Sequence, residues 1–444
     1  MTPSFRGAAW MTALALVLCG CASTQPDTAA PAVQHATPPP PPPAQPAPPP
    51  APTEVPDGDN DGPPQPRAQS TLALENASAG APARKSLTAT AQLSGLPDHS
   101  ANANTMVAHF IDVGQGDATL LEFSCGAILI DTGGEQSTEV SGRKRLVAYL
   151  EEFFAKRADL ARTLELVVLS HPHVDHTDGV QGILDMQPAV NIMNVLDNGT
   201  ASGNNSGISG QKKLQKYAAD TGAGYVGLAE SDIPTVAGVT NKVIDPINCR
   251  RDNVGVNPKI TAIWGRVDEN STWANNANND SVVLRVDFGK ASFLFTGDLQ
   301  SEGIAAMLDA YSPDPKILNI DVLKVGHHGS HNATTKAFMK TSSPKIAVAQ
   351  SGDSTLSHDD HTAWVYGHPN IKAINLIVDP MNGVSDTRAP RQFPVGVSGR
   401  PPNSTKDPVF TTMRIDRALY DNGWDGNIAI TAHSDGKLEI QTEF

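Results

Sequence analysis

Three short apolar runs, Met106–Val113, Ala118–Phe123 and Ala127–Ile130, follow one another with turn signals between them (Gly114-Gln115-Gly116-Asp117 and Ser124-Cys125-Gly126). Runs so short and closely spaced predict an antiparallel meander. From Ser141 to Arg157 the period changes. Leu146, Tyr149, Leu150, Phe153 and Phe154 fall at i, i+3, i+4, i+7 and i+8, one face of a helix. Leu164–Leu169 then predicts a buried strand, Val180–Met186 a helix and Ala189–Val195 a further strand. A Gly-, Asn- and Ser-rich loop over 197–210 precedes a helix near Gln211–Asp220. The second half repeats the plan. Ser281–Phe288 and Ser292–Thr296 read as a hairpin around Gly289-Lys290, followed by a helix over Ser301–Ala310 and a strand over Ile320–Val325. A helix near Thr334–Lys340 and a strand over Lys345–Ala349 come next. The stretch 379–408, rich in Pro, Gly and Ser, reads as an extended surface loop, and strands Ile428–Ala432 and Lys437–Thr442 close the chain. The early strands have no crossover helices between them. An α+β fold with two mixed sheets and outer helices, a four-layer αββα sandwich, is therefore expected over a doubly wound parallel sheet.

None of this patterning begins before about residue 104. Of the 35 prolines in 444 residues, 16 fall between Pro31 and Pro66, a stretch that cannot build a core. Pro38 to Pro43 is an unbroken run, a semi-rigid polyproline II segment. Asp-Gly-Asp-Asn-Asp-Gly at 57–62 copies the first half of a calcium loop, but the twelfth position falls on Ala68 and not on a glutamate. It reads as solvated acidic linker. Ahead of it, Arg6 and the eleven-residue, largely apolar stretch Ala8–Leu18, too short to span a bilayer, read as a secretory signal. Leu18-Cys19-Gly20-Cys21 resembles a bacterial lipobox, which implies lipidation at Cys21 and, with Ala22 next, the outer membrane; ordinary cleavage nearby is the alternative. The expected organisation is a signal peptide over 1–20, a disordered linker over 21–103 and one catalytic domain over 104–444. That domain carries 29 basic and 40 acidic residues of a chain with net charge −14. Such a surface excludes a basic DNA-binding module, and any phosphate chemistry must rest on a local site or a metal. Cys125 and Cys249 remain, either as a disulfide of an oxidising compartment or as two free thiols.

The histidines carry the chemistry. Ser170-His171-Pro172-His173-Val174-Asp175-His176 follows a buried strand and puts three imidazoles and a carboxylate within six residues. That donor set suits a pair of divalent ions, zinc or manganese among them. Two more strand ends add to it: Phe295-Thr296-Gly297-Asp298, with one carboxylate, and Val325-Gly326-His327-His328-Gly329-Ser330, with a glycine-flanked histidine pair.

Together these motifs resemble the metallo-β-lactamase fold. More narrowly, the chain resembles the hydrolase domain of ComEC-type competence DNA-uptake proteins and their secreted relatives. The narrower resemblance rests on His109-Phe110-Ile111-Asp112-Val113-Gly114-Gln115-Gly116-Asp117, Ile130-Asp131-Thr132-Gly133, Asn279-Asp280-Ser281-Val282-Val283-Leu284-Arg285, Leu323-Lys324-Val325-Gly326-His327-His328-Gly329-Ser330 and Gly367-His368-Pro369. It implies metal ligands His171, His173, Asp175, His176, Asp298 and one of His327 or His328. His328 is favoured as the ligand and His327 as a phosphate contact. Asp175 would orient a water whose pKa the ions bring toward 7. His368 would touch a substrate oxygen or protonate the leaving group. Asp112, Asp117 and Asp131 support the site from behind. His331, His358, His361 and His433 are expected to face solvent. One departure stands out: no histidine lies between His176 and His327, where the wider superfamily supplies a third one for its first metal. Asn198, Asn204, Asn205 and Ser206 stand there, so the first ion is completed by Asn or water, or is absent. The implied function is an envelope-anchored, metal-dependent phosphodiesterase, a DNase related to DNA uptake among the candidates, acting on a phosphodiester substrate with no stable protein partner evident. The alternatives are hydrolysis of a lactam, lactone or thioester, and a non-catalytic binding protein.

Overall fold

The computed structural model describes residues 103–444 except 201–205, 235–236, 250–254, 269, 272, 274 and 402. The signal peptide, Cys21, the linker up to residue 102 and Asn204 and Asn205 lie outside the described residues. Three strands open the domain, β1 (Thr105–Phe110), β2 (Thr119–Phe123) and β3 (Gly126–Ile130), paired antiparallel in chain order. Helix α1 (Gly142–Lys156) follows, then β4 (Thr163–Leu164), β5 (Leu166–Val168), α2 (Val174–Thr177), α3 (Gly179–Leu184), β6 (Asn191–Ile192), β7 (Asn194–Asp197), α4 (Ile208–Thr221) and β8 (Gly224–Gly227). The second half supplies β9 (Pro258–Trp264), β10 (Val283–Phe288), β11 (Ala291–Phe295), α5 (Ser301–Ala310), β12 (Val322–Lys324), α6 (Lys336–Ser342) and β13 (Ile346–Ala349). Then come α7 (Ala363–Tyr366), α8 (Ile371–Ile377), β14 (Thr387–Ser398), β15 (Val409–Arg417), β16 (Leu419–Asp421), α9 (Asn422–Asp425), β17 (Ile428–His433) and β18 (Leu438–Thr442).

The strands form two mixed sheets, in the orders β18-β17-β1-β2-β3-β5-β7-β8 and β16-β13-β12-β11-β10-β9. Strand alternation decides which residues lie between them. Met106, Ala108 and Phe110 of β1, Leu121 and Phe123 of β2, and Ile128 and Ile130 of β3 join Phe288, Phe293 and Phe295 in one apolar cluster. The opposite faces, through Leu120, Leu129 and Val167, pack on Leu146, Leu150 and Phe153 of α1. On the second sheet, Leu294, Leu323 and Ala347 pack against Ile304 and Met307 of α5, Phe338 and Met339 of α6, and Ile374 and Ile377 of α8.

The stretch 379–408 is not the loop its composition suggests. It holds β14, which pairs with β15 in a two-stranded ribbon. The other edge of β14 carries an isolated bridge from Gly396 to Asn370, and along that edge Pro390 and Pro394 remove no ladder hydrogen bond. Cys125 and Cys249 form a disulfide joining the β2–β3 turn to the segment before β9.

Where β16 ends, Asp421 is fully buried; Ser351 Oγ donates to its two oxygens at 2.8 and 2.9 Å, and the Gly423 amide donates at 2.6 Å. Burial, with Asp425 and Asp112 nearby, outweighs those donors and pushes this carboxyl up to about 7. The unfolded chain ionises it near pH 4, so between about 4 and 7 the folded state holds the extra proton. Stability therefore falls as pH rises through that window and is level above it, by up to about 4 kcal/mol. Urea unfolding at pH 5 and pH 8 checks this, and Asp421→Asn is expected to flatten the difference. An unchanged slope in the variant would assign it elsewhere.

Candidate metal centre

Three strand ends deliver the site. The segment after β5 carries His171 to His176, the turn after β11 carries Asp298, and the turn after β12 carries His327 and His328. In that last turn both histidines adopt the left-handed conformation, with φ of 48° and 53°. Non-glycine residues seldom do so, and a consecutive pair is held only where the surroundings dictate it. Gly326 and Gly329 flank them, and a Cβ on Gly329 would meet Pro369 at 2.8 Å. The asparagine after Pro369 donates its amide to the Gly329 carbonyl at 2.8 Å, which ties the His368 segment to this turn.

Asp298 is the hub. Its Oδ2 lies 3.2 Å from His176 Nε2, 3.3 Å from His328 Nε2, 3.8 Å from His327 Nε2 and 3.9 Å from His171 Nε2. The far ring nitrogens are fixed by partners. His176 Nδ1 donates to Asp131 Oδ2 at 2.9 Å, and His328 Nδ1 donates to the Gln350 carbonyl at 3.1 Å. Asp131 is held in turn by the Ser170 amide at 2.7 Å and hydroxyl at 2.8 Å. Each imidazole thus presents Nε2 inward in a set tautomer, as metal-ligating histidines do. His173 Nδ1 lies 3.0 Å from His171 Nε2, and Asp175 Oδ2 lies 3.2 Å from His328 Nε2.

The structure brings together His171, His173, Asp175, His176, Asp298 and His328, with His327 facing the cavity beside them. Two carboxylates sit in the turn before β2. Asp112 shapes that turn, its Oδ1 accepting from the Gly114 amide at 3.2 Å, and pairs with Arg145 at 2.9 Å. Asp117 faces the far ring nitrogens, with Oδ2 3.7 Å from His176 Nδ1, and ligand-type atoms of Asp117, His176, Asp298 and His328 all lie within 4.8 Å of one another. Asp117 Oδ1 is 3.2 Å from His328 Nδ1, and its other oxygen pairs with the buried Lys324 ammonium. Lys324 went unassigned in the sequence, although a lysine ending a buried strand run was the available signal. Asn198 is not a free ligand either. Its Oδ1 accepts from Thr200 and Gln211, and its Nδ2 donates to the Asp280 carbonyl. Asn278, also passed over, is buried and lines the cavity with His173, and its Oδ1 makes no hydrogen bond. Of the histidines expected in solvent, His361 is exposed but lines the cavity mouth.

The electrostatics ask for a cation. Four carboxylates, Asp117, Asp131, Asp175 and Asp298, gather around these imidazoles, and the Lys324 ammonium pairs with Asp117. Burial works against charging His176, but Asp298, Asp131 and Asp117 outweigh it and hold that imidazole well above its ordinary range. His328 is raised likewise, burial being overcome by Asp298 and Asp117. Asp298, despite burial, is held well below the usual carboxylate range by His176, His328 and His327. Without metal the cluster therefore draws protons onto two imidazoles. A divalent ion would supply that charge and engage the buried His176 Nε2, His328 Nε2 and Asp298 Oδ1, none of which makes a hydrogen bond. The residues fit the group.

The cluster opens into a cavity of about 510 Å³ lined by Asp175, His327, His328 and His368. Gln115 Nε2 donates to His368 Nδ1 at 3.4 Å. Burial, with His327 and His328 close by, keeps the His368 imidazole well below its ordinary range.

A family model described as the metallo-beta-lactamase superfamily matches residues 111–352. Among curated relatives, ComE operon protein 3 of Bacillus subtilis is 25% identical over 280 residues, 60% of this chain and 30% of that protein. Recombination protein 2 of Haemophilus influenzae is 28% identical over 242 residues, 54% of this chain and 24% of the relative. Competence protein ComA of Neisseria gonorrhoeae is 34% identical over 106 residues, 24% and 15% of the two chains. The chain thus spans less than a third of the length of these relatives. Among solved structures, the metallo-beta-lactamase fold protein YhfI from Bacillus subtilis aligns with a TM-score of 0.32 and 13% identity, over 55% of this chain and 85% of that one.

Proposed function

The chain belongs to the metallo-β-lactamase superfamily, and from that premise we propose that it is a metal-dependent phosphodiesterase held at the cell envelope by a lipid on Cys21 and its proline-rich tether. The observation that carries the reading is the Asp298 hub, one carboxylate oxygen faced by four imidazole nitrogens at the floor of an open cavity. Competence-protein relatives favour a nucleic-acid substrate. The disulfide favours an oxidising compartment. Among the described residues no helix is long and apolar enough to cross a membrane, so the proposed anchor is the N-terminal lipid.

Asp175, His176, Asp298 and His328 would hold one ion, and His171, His173 and Asp298 a second, with the Asn278 amide in place of the superfamily's third histidine. Bound there, zinc or manganese ions supply a water nucleophilic at neutral pH and positive charge for the phosphoryl oxygens. Every one of these side chains sits in a segment flanking a strand of one of the two mixed sheets. Asp175, on the cavity wall, orients the attacking water and accepts its proton. His327, anchored through Nδ1 to Asn332 Oδ1 at 3.0 Å, turns Nε2 toward the phosphoryl group. His368, whose charging burial disfavours, takes Gln115's donation on Nδ1 and would offer its Nε2–H as a hydrogen-bond donor to a substrate oxygen.

The purified protein, prepared without chelator, is expected to contain zinc or manganese and to hydrolyse bis(p-nitrophenyl) phosphate, with activity lost in EDTA and restored by added metal. Metal-loaded protein that leaves the ester intact would overturn the phosphodiesterase reading and redirect assays to lactams, lactones and thioesters.

A further inference from the structure

The metal cavity does not end at His368. A second cavity of about 430 Å³ shares His327, Tyr366 and His368 with it and continues over His331 and Lys372 to Val397–Gly399, near the turn of the β14–β15 ribbon. The ribbon is fastened at that point. The Gly396 amide donates to the Pro369 carbonyl at 2.9 Å, and the Arg400 amide donates to the Val365 carbonyl at 2.7 Å. Its end is therefore a fixed wall of the groove.

Three rings lead outward along this groove. The His328 and His368 centroids are 6.2 Å apart with planes 31° off parallel, and His368 and Tyr366 are 5.4 Å apart and 27° off parallel. Tyr366 ends the series 40% exposed, and His361 Nδ1 lies 2.7 Å from its hydroxyl, which sets the ring's orientation. Lys372 lines the groove itself, and the ribbon that walls it is basic. The ribbon, Thr387–Arg417, carries six basic residues against two acidic ones, in a chain whose net charge is −14. Arg388 and Arg391 are committed to Asp425, whereas Lys372 on the groove wall and Lys406 and Arg414 on the ribbon are exposed.

We propose that this groove is a subsite for the nucleotide next to the scissile phosphate, with its base stacked on Tyr366 and its far phosphate at Lys372. The proposal rests on the phosphodiesterase reading and narrows its substrate to a single-stranded nucleic acid. A base can extend the stack of rings only if it is free of its own neighbours, and an aromatic platform beside basic groups is how proteins track single strands. The acidic remainder of the surface gives a long duplex no comparable path.

The test compares kcat/KM of the manganese-loaded protein on bis(p-nitrophenyl) phosphate, which has no neighbouring nucleotide, with that on a 12-nucleotide single strand and its duplex. In Tyr366→Ala and in Lys372→Ala the single-strand value is expected to fall about tenfold more than the ester value. Tyr366→Phe is expected to retain most of it. Equal falls on both substrates would make Tyr366 and Lys372 structural and overturn the proposal, as would duplex cleaved as fast as single strand. Binding of the same fluorescent oligonucleotide in EDTA reads the groove without hydrolysis. If wild type binds it and Tyr366→Ala binds it about tenfold more weakly, the groove stands even where the phosphodiesterase reading fails. If neither wild-type binding nor the ester-to-oligonucleotide contrast appears, the groove proposal fails on its own.

Discussion

Asp298→Ala is expected to abolish hydrolysis, with kcat/KM on bis(p-nitrophenyl) phosphate falling at least about a thousandfold and bound metal dropping with it. The reason is geometric. Asp298 Oδ2 faces His171, His176, His327 and His328 together, so its removal takes a ligand from either ion and leaves imidazoles facing one another. Loss of the buried carboxylate also leaves His176 and His328 with less to hold their charge, since both are raised chiefly by Asp298 against burial. A circular-dichroism melt of the variant and its metal content per chain, measured beside the activity, separate a lost site from a lost fold. Asp298→Asn keeps the shape but halves the acceptor set, and it should retain more folded protein than the alanine variant with nearly as little activity. Full metal content and near wild-type turnover in Asp298→Ala would remove the hub from the mechanism.

The largest effect on stability is expected at the disulfide. Cys125 and Cys249 are 124 positions apart, and their bond closes a loop containing the first sheet's parallel strands and the His171–His176 segment. On the chain-entropy account, closing so long a loop in the unfolded chain is worth about 5 kcal/mol. Cys249 is fully buried in the cluster between the sheets, so replacing both cysteines with alanine leaves a modest cavity there as well. The double variant, or wild type in dithiothreitol, should unfold at markedly lower urea. The His171–His176 segment lies inside that loop but is also held by β5 and by the Asp131–His176 contact, so metal content in the protein that remains folded should be unchanged. A midpoint that does not move on reduction would mean that the loop is already constrained in the unfolded chain.

The parts of this molecule legible in the sequence are those fixed by neighbours along the chain. The meander of β1, β2 and β3 follows from short apolar runs broken by turn residues, and α1 follows from an apolar face repeating every three or four residues. The metal-type side chains were legible because each set sits in a turn directly after a strand, where backbone geometry alone turns several residues toward one point. What the chain did not show is where period and composition are poor guides. The ribbon β14–β15 was hidden because its prolines and glycines resemble a loop, and only its pairing makes it a strand. Asp117 and Lys324 are 207 positions apart, and Gln115 and His368 are 253 apart. No local preference brings such pairs together. The packing of the two sheets does, by carrying the turn before β2 over the end of β12 and against the loop after α7. The same packing closed the Cys125–Cys249 bond and lined up His328, His368 and Tyr366. The sequence by itself therefore determined which chemistry the chain carries and the family it belongs to. The tertiary structure decided that Asp117 meets Lys324 beside the far nitrogens of His176 and His328, and in which direction the cavity opens.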